Sequence, residues 1–172
     1  MRSAKNSLIQ RLLALVLLLS MQGLLAEETL RQAEVAKRGA QVMPFELEKT
    51  QHQFSKTETG GIQRVVVRDA NDVAQIQLIR QHLQQLAEKF KVGDYSGPES
   101  IHGADMPGLA TLKKAKADDI QIAYKPEPQG ASITFTAQKP EWVAAIHTWF
   151  DAQLHDHGHD AMLMHHQHHM QP

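Results

Sequence analysis

PEWVAAIHTWFDAQL, residues 140–154, is the stretch that sets the core of this chain. Its apolar residues recur at steps of three and four, a spacing that predicts an amphipathic helix with one face against a core. Pro140 suits the first turn of that helix, where no backbone amide donor is needed. The apolar face consists of Trp142, Val143, Ile146, Trp149, Phe150 and Leu154. We therefore expect a core-facing helix from Pro140 to about Leu154.

Metal-binding residue types gather on the flank of this helix and beyond it. His147, Asp151 and His155 stand at i, i+4 and i+8, so their side chains lie along one ridge. From His155 the chain reads HDHGHDAMLMHHQHHMQP and holds seven of its eleven histidines, with three methionines. Imidazole and thioether together favour copper, with nickel or zinc as alternatives. The metal ligands predicted here are His147, Asp151, His155, His157, His159, Met162, Met164, His165, His166, His168 and His169.

These two groups also have ordinary interpretations. His147 and Asp151 could form a surface ion pair, or a hydrogen bond that orients a partly buried histidine. The histidine-rich segment from His155 onward could be a solubilising tail whose histidines are incidental.

The first 26 residues predict export. Three basic residues precede or border the apolar run Leu12–Leu19, and Leu-Leu-Ala at 24–26 gives a cleavage site before Glu27. This arrangement is typical of a secretory signal peptide. We expect residues 1–26 to be removed and the mature protein to reside in the periplasm, without stable membrane association. An uncleaved N-terminal anchor is the alternative.

Charge and cysteine content exclude several classes of function. Removing residues 1–26 takes away three of the 18 basic residues and none of the 19 acidic ones, which leaves 15 against 19 and a formal charge of −4. No basic patch interleaved with aromatic residues is present, so nucleic-acid binding is not expected. The chain has no cysteine, which excludes disulfides, thiol catalysis and iron–sulfur clusters.

Two pairs of alternating runs predict two β-hairpins. Gly60-Gly61 supplies the tight turn of the first, and the segment Pro126–Gly130 supplies the turn of the second. The runs are residues 45–57 and 62–67, then 120–124 and 133–137.

A second long helix and an irregular loop separate the hairpins. Residues 72–91 carry apolar side chains at steps of three and four, and Gly93 ends the pattern. The Gly- and Pro-rich segment 93–109 predicts a loop, followed by a short helix near 107–116. Internal loops of this kind are where binding groups are often found.

These elements predict an α+β domain over residues 45–157. We expect a four-stranded antiparallel sheet made of the two hairpins, with both main helices on one face. Gly61 and Gly130 stand 69 residues apart and each closes a hairpin that runs into a helix, so a ββα pseudo-repeat is possible. Residues 27–44 are expected to be an exposed lead-in segment, and residues 158–172 a flexible tail rich in histidine and methionine.

Three segments distant in sequence could form one metal site. His82 lies on the flank of the helix at 72–91, and His102 and Met106 come from the irregular loop. If the two long helices pack side by side, His82 and His147 would face the same groove and the loop would cover it. We therefore predict that His82, His102, Met106 and His147 share one site.

Five segments between Gly39 and Met162 form a recognisable set. They are GAQVMPFEL (39–47), FSKTETGGIQRVV (54–66), QIQLIRQHL (75–83), IHGADMPGL (101–109) and AAIHTWFDAQLHDHGHDAM (144–162). The set resembles a family of small exported bacterial proteins of uncharacterised function. Some members carry the label aspartate carbamoyltransferase, an enzyme that binds carbamoyl phosphate through a Ser-Thr-Arg-Thr loop. That motif does not occur in this sequence, so the label does not apply. The resemblance implies one exported domain and supplies no activity.

The function predicted is an exported metal-binding protein, with copper favoured, that buffers, sequesters or delivers its ion in the periplasm. The sequence shows no nucleophile motif and no phosphate-binding loop, so an enzyme is the less favoured interpretation. Two alternatives stay open: a small periplasmic enzyme or ligand-binding domain with a histidine-lined groove, and an interaction module with an incidental histidine-rich tail.

Overall fold

The structure is a computed structural model that describes residues 25–116 and 118–164. The helices are α1 (25–42), α2 (Val73–Lys91), α3 (Ser96–His102), α4 (Leu109–Leu112) and α5 (Pro140–His157). The strands are β1 (Thr50–Thr57), β2 (Gly60–Val67), β3 (Ile120–Glu127), β4 (Gly130–Ala137) and β5 (Ala161–Leu163). Short 3₁₀ turns precede β1 and follow α5, at Leu47–Lys49 and Gly158–Asp160.

The strands form one mixed sheet in the order β3-β4-β2-β1-β5. Both hairpins are antiparallel and meet through antiparallel β2 and β4, but β5 runs parallel to β1. The α+β class is therefore confirmed, and the expectation of a four-stranded antiparallel sheet was wrong. The fifth strand comes from the segment 158–172, expected to be a flexible tail. Residues 165–172 of that segment lie outside the described residues.

The fifth strand forms because β1 would otherwise be an edge with unpaired backbone groups. The chain leaves α5 at Gly158, whose φ of 53° suits glycine, and runs back along β1. Ala161 pairs with His52, and the Met164 amide donates a 2.7 Å hydrogen bond to the Phe54 carbonyl.

Both long helices pack on one face of the sheet. The ring of Phe135 in β4 lies 5.7 Å from that of Phe90 in α2, and 5.6 and 5.8 Å from those of Trp149 and Phe150 in α5. These aromatic side chains belong to a single buried apolar cluster. The helix predicted to end near Leu154 continues to His157, one turn further than its apolar pattern indicated.

The two hairpins correspond position by position with an offset of 70 residues. β1 and β3 begin at Thr50 and Ile120, and the registers of the two hairpins agree throughout. A Cβ at Gly60 would lie 2.2 Å from the Phe135 carbonyl oxygen, and a Cβ at Gly130 would lie 2.0 Å from that of Val65. Each hairpin therefore needs glycine where it meets the other, and Gly60, not Gly61, is the counterpart of Gly130.

The segment expected to be an exposed lead-in is the helix α1, and it packs against the domain. Val35 is completely buried, and Arg31 makes an ion pair with Asp156 at the end of α5. No helix among residues 25–116 and 118–164 is long and apolar enough to cross a bilayer.

Candidate functional site

Four histidines from four separate elements line one buried cavity, which we call the histidine cavity. They are His52 of β1, His82 of α2, His102 of α3 and His157 of α5. The cavity volume is about 40 Å³, and much of the rest of its wall is apolar. One water needs roughly 10–15 Å³, so the space suits an ion with one or two waters.

Local periodicity explains two of these positions. Successive strand residues point to opposite faces, so His52 shares the core-facing side of β1 with Phe54. In α5, Trp149, Gln153 and His157 stand at i, i+4 and i+8, so all three side chains lie on one ridge that faces the cavity.

The histidine rings are close to one another. The rings of His52 and His157 stack with centroids 4.6 Å apart and an angle of 10° between planes, and His102 meets His157 edge-on at 5.0 Å. These side chains are almost fully buried, with 3%, 8% and 2% exposure for His52, His157 and His102. The ring of His82 lies 5.6 Å from that of Phe45, further along the cavity wall.

Asp156 fixes the tautomer of His102. Its Oδ2 lies 2.8 Å from Nδ1 of His102, and a carboxylate can only accept, so Nδ1 carries the proton. When His102 is neutral, Nε2 is the nitrogen without a proton and is the one that can bind a metal ion. Arg31 donates to both Asp156 oxygens at 2.7 Å and to the His102 carbonyl at 3.0 Å.

The electrostatic environment keeps the carboxylate charged. Burial alone would raise the pKa of Asp156, but hydrogen bonds from His102 and Arg31, and the charges of both, hold that pKa well below its usual range. The ionised form of Asp156 is the one that accepts both donors.

Three histidines of the cavity, His52, His82 and His157, favour the neutral form. Burial, and then the proximity of His102 and His82, lowers the pKa of His52 to about 4. Burial is also the main reason that the pKa of His157 is lowered strongly and that of His82 is lowered. Neutral imidazole is the form that binds metal ions.

Three residues that line the cavity each have a buried side-chain polar atom with no hydrogen-bond partner among the described residues. These atoms are Oε1 of Gln63, Nε2 of Gln153 and Nε1 of Trp149. An unpaired buried polar group costs about 1–3 kcal/mol. The wall thus offers polar groups to an occupant as well as imidazoles.

The internal correspondence of the two hairpins extends to positions in the cavity wall. Strand positions correspond with an offset of 70, and the long helices, which begin at Val73 and Pro140, correspond with an offset of 67. Four of the polar cavity residues then have an apolar counterpart. The pairs are His52 with Ile122, Gln63 with Ile133, Gln153 with Leu86 and His157 with Phe90.

The predicted convergence of His82, His102, Met106 and His147 does not occur as expected. His82 and His102 line the cavity, but Met106 is buried elsewhere in the core. Nε2 of His147 lies 3.0 and 2.8 Å from the carbonyl oxygens of Thr57 and Gly60, so this side chain caps the first hairpin.

The reason lies in helix geometry. Residues turn about 100° each, so the ridge that starts at His147 is about 160° away from the ridge that starts at Trp149. Asp151 follows the first ridge and pairs with Lys56 of β1. The cavity faces the second ridge.

The remaining predicted ligands are dispersed. His157 lines the cavity, whereas His155 is exposed beside Glu28 and Asp156. His159 is exposed next to Asp160. Met162 and Met164 are partly exposed at β5. His165, His166, His168 and His169 lie outside the described residues.

Sequence reasoning missed several cavity residues. His52 had one usable signal, because it alternates with the core residue Phe54, and Gln153 had another, because it follows Trp149 by one turn. Met43, which also lines the cavity, had none. Arg31 and Asp156 are 125 residues apart, and no local pattern connects them.

No three His, Asp or Glu side chains in the described part of the chain are already arranged to hold an ion. Parallel stacking explains this for His52 and His157, because their nitrogens then lie side by side and do not point at a common centre. Rotation of one ring about its side-chain bonds would be needed for both to bind one ion.

Comparison with protein-family models, with curated proteins and with solved structures gives no match for this chain. The resemblance noted from sequence segments therefore stays a prediction, and function has to be inferred from the site.

Proposed function

We propose that this chain is an exported protein that binds one transition-metal ion, preferably copper, in the histidine cavity and buffers, sequesters or delivers it in the periplasm. The observation that carries the proposal is the meeting of four histidines from four elements around a buried space of about 40 Å³.

The donor set fits a metal ion. His52, His102 and His157 are the proposed ligands, since their rings are adjacent and at least two of them favour the neutral form. Asp156 would act as the outer partner that orients His102 and increases its basicity, as carboxylates commonly do for metal-bound histidines.

Copper is favoured by ligand type. Met43 is a lining residue of the histidine cavity, and Met162 and Met164 place two more methionines at the surface. Thioether and imidazole together suit copper, whereas imidazole alone suits zinc and nickel equally well. A chain with no cysteine can carry such a site in an oxidising compartment without a thiol at risk.

The pairing of His102 with Asp156 is also that of a general base, which favours an enzyme as the second candidate. Two observations count against it. The cavity is too small for an organic substrate of ordinary size, and among the described residues its wall includes no Ser, Thr, Tyr or Lys that could serve as nucleophile or acid. An interaction module would leave the buried polar cluster unexplained.

Export is compatible with the site. Cleavage before Glu27 would keep Arg31 and Val35 in the mature chain, so α1 could still pack on the domain and hold Asp156. Recovery of a periplasmic protein that begins near Glu27 supports this part of the proposal, and recovery of the uncleaved chain from the cytoplasm refutes it.

The test of metal binding compares four tag-free mature proteins: the full chain, a chain without residues 165–172, that shorter chain with His52→Phe and His157→Phe, and the shorter chain with His155→Gln. Phenylalanine preserves the aromatic packing and removes the nitrogens. Each is stripped with chelator, loaded with Cu²⁺, desalted and analysed for copper per chain. His155→Gln, on the exposed side of the same helix, is the matched control.

We expect the shorter chain and the His155→Gln control to retain about one copper ion per folded chain, and the double phenylalanine variant to retain none. The bound ion should also raise the melting temperature of the shorter chain, because it binds the folded state only. Equal copper in the shorter chain and the double variant would refute the histidine cavity as the site.

A further inference from the structure

A second, more open cleft lies on the other side of His157. Its volume is about 320 Å³, and its walls come from α1 and from the turn after α5. The lining residues are Thr29, Gln32, Ala33, Ala36, Leu47, Asp156, His157, His159 and Asp160. Among the lining residues of the two spaces, His157 alone belongs to both. His157 therefore borders both the outer cleft and the histidine cavity.

The outer cleft offers oxygen and nitrogen groups to a hydrated cation. His159 stands at its rim with 91% of its side chain exposed, and Asp160 beside it is held by Arg68 at 3.2 Å. Gln32 on the facing helix bonds the His155 carbonyl at 2.9 Å, which ties α1 to the end of α5.

The other margin of the histidine cavity is different. Its lining residues include Val42, Leu86, Gly97 and Pro98, of which Val42 is exposed. An ion that crossed between these side chains would lose water and meet one imidazole, that of His82, one helical turn before Leu86. In the outer cleft, side-chain oxygen and nitrogen atoms could replace the water ligands of the ion one at a time. The outer cleft is therefore the energetically more favourable path.

We infer that the metal ion enters and leaves the histidine cavity through the outer cleft, with His159 as its first contact and His157 as the ligand that passes it inward. This inference rests on the proposed function. His157 performs the transfer by turning its ring, so that the same imidazole faces first the cleft and then His52 and His102. No bond other than metal–ligand bonds is made or broken.

A path affects rates but not affinity, because the equilibrium constant depends only on the free and bound states. A side chain that narrows the cleft should slow loading and release by the same factor and leave Kd unchanged. A side chain that damages the site itself would change Kd. The two effects are separable in one set of variants.

Three positions on α1 provide the matched set. Ala33 is exposed and lines the outer cleft, Val42 lies on the apolar margin, and Ala40 is exposed and lines neither space. Each is changed to Phe, because phenylalanine is bulky and does not add to the tryptophan fluorescence that the assay measures. The full mature chain is stripped of metal and mixed with Cu²⁺ in a stopped-flow fluorimeter. Quenching of Trp149 in the cavity wall reports loading, and Trp149→Phe identifies that phase.

We expect Ala33→Phe to slow both loading and chelator-driven release by about tenfold, with Kd unchanged, and Ala40→Phe to behave as the unmodified chain. Val42→Phe, in the wall of the histidine cavity itself, should slow loading less than Ala33→Phe does. The fold should tolerate His159→Gln, because the side chain is exposed. This variant should slow loading by about twofold or more. Circular dichroism of each variant shows whether it has folded.

Slower loading in Val42→Phe with unchanged rates in Ala33→Phe and His159→Gln would overturn the inference and assign the path to the apolar margin. Equal rates in all variants would also overturn it. Absence of a Trp149-dependent copper phase in the unmodified chain would instead refute the proposed function, so the two failures are distinguishable.

Discussion

Acidification should destabilise the metal-free protein through the histidine cavity. Burial lowers the pKa of His52 to about 4. In the unfolded chain the same group has a pKa of about 6.5. Below about pH 6.5 the unfolded state therefore binds a proton at His52 that the folded state does not bind. The free energy of unfolding falls as pH falls and levels off near pH 4.

The magnitude follows from the two pKa values of His52. The full shift corresponds to about 3 kcal/mol, of which about 2 kcal/mol is already lost at about pH 5. His157 and His82 add to this in the same direction, because burial lowers both of their pKa values. Carboxylates with lowered pKa values, such as Asp156, lose their contribution to stability only as pH falls through the unfolded value of about 3.9 and below, so above about pH 5 they add little to the pH dependence of stability.

The assay is urea denaturation of chelator-treated protein between about pH 7.5 and pH 5, followed by circular dichroism. His52→Phe keeps an aromatic ring between His157 and Phe45 and removes the titrating group, so its stability should fall by about 2 kcal/mol less than that of the unmodified protein over this range. His159→Gln, at an exposed position, is the control and should follow the unmodified profile. Parallel profiles for His52→Phe and the unmodified protein would refute the burial of a neutral His52.

Three further outcomes are expected. Asp156→Asn should lower the free energy of unfolding by about 2–3 kcal/mol, less than for a fully buried ion pair because its arginine partner is 40% exposed, and should weaken copper binding by about 10–100-fold. Deleting residues 161–172 should cost about 2 kcal/mol in urea denaturation, because it removes the strand paired with β1. Gln63→Ile, which copies the counterpart position of the second hairpin, should stabilise the metal-free protein by about 1–3 kcal/mol, because it removes an unpaired buried amide.

Each of these outcomes has a control and a contradicting result. Deletion of residues 165–172 alone should leave stability unchanged, and a loss equal to that of the longer deletion would contradict the role of β5. Unchanged copper affinity in Asp156→Asn would show that orientation of His102 does not matter for binding. A destabilised Gln63→Ile would show that the amide is needed by the fold.

The sequence predicted those elements whose signals are local. The hairpins and both long helices follow from alternation, from glycine turns and from apolar steps of three and four. β5 was missed because a three-residue strand has no period of its own and forms only along an edge that the rest of the fold creates. α1 was taken for an exposed segment because its contacts, from Arg31 to Asp156, join residues 125 positions apart.

The site was predicted only in part. The error concerned which side of α5 faces the cavity. The pattern on α5 identified a ridge of His147 and Asp151, but the cavity faces the ridge of Trp149, Gln153 and His157. Sequence places a residue around a helix to within its 100° step, yet it does not tell which polar flank meets the sheet and which meets solvent. His157 was placed in the domain but beyond the end of the core helix, because the apolar pattern ends one turn before it.

The cost of the histidine cavity is the strongest argument that it has a function. A neutral buried His52 lowers stability whenever the pH falls below its unfolded pKa, and the unpaired amide of Gln63 lowers it at every pH. The second hairpin shows that the same backbone positions accept isoleucine, at Ile122 and Ile133. The first hairpin carries polar groups at positions where the second carries isoleucine, and those groups are available to an occupant of the cavity. The metal ion proposed above would fit a space of about 40 Å³ between these imidazoles.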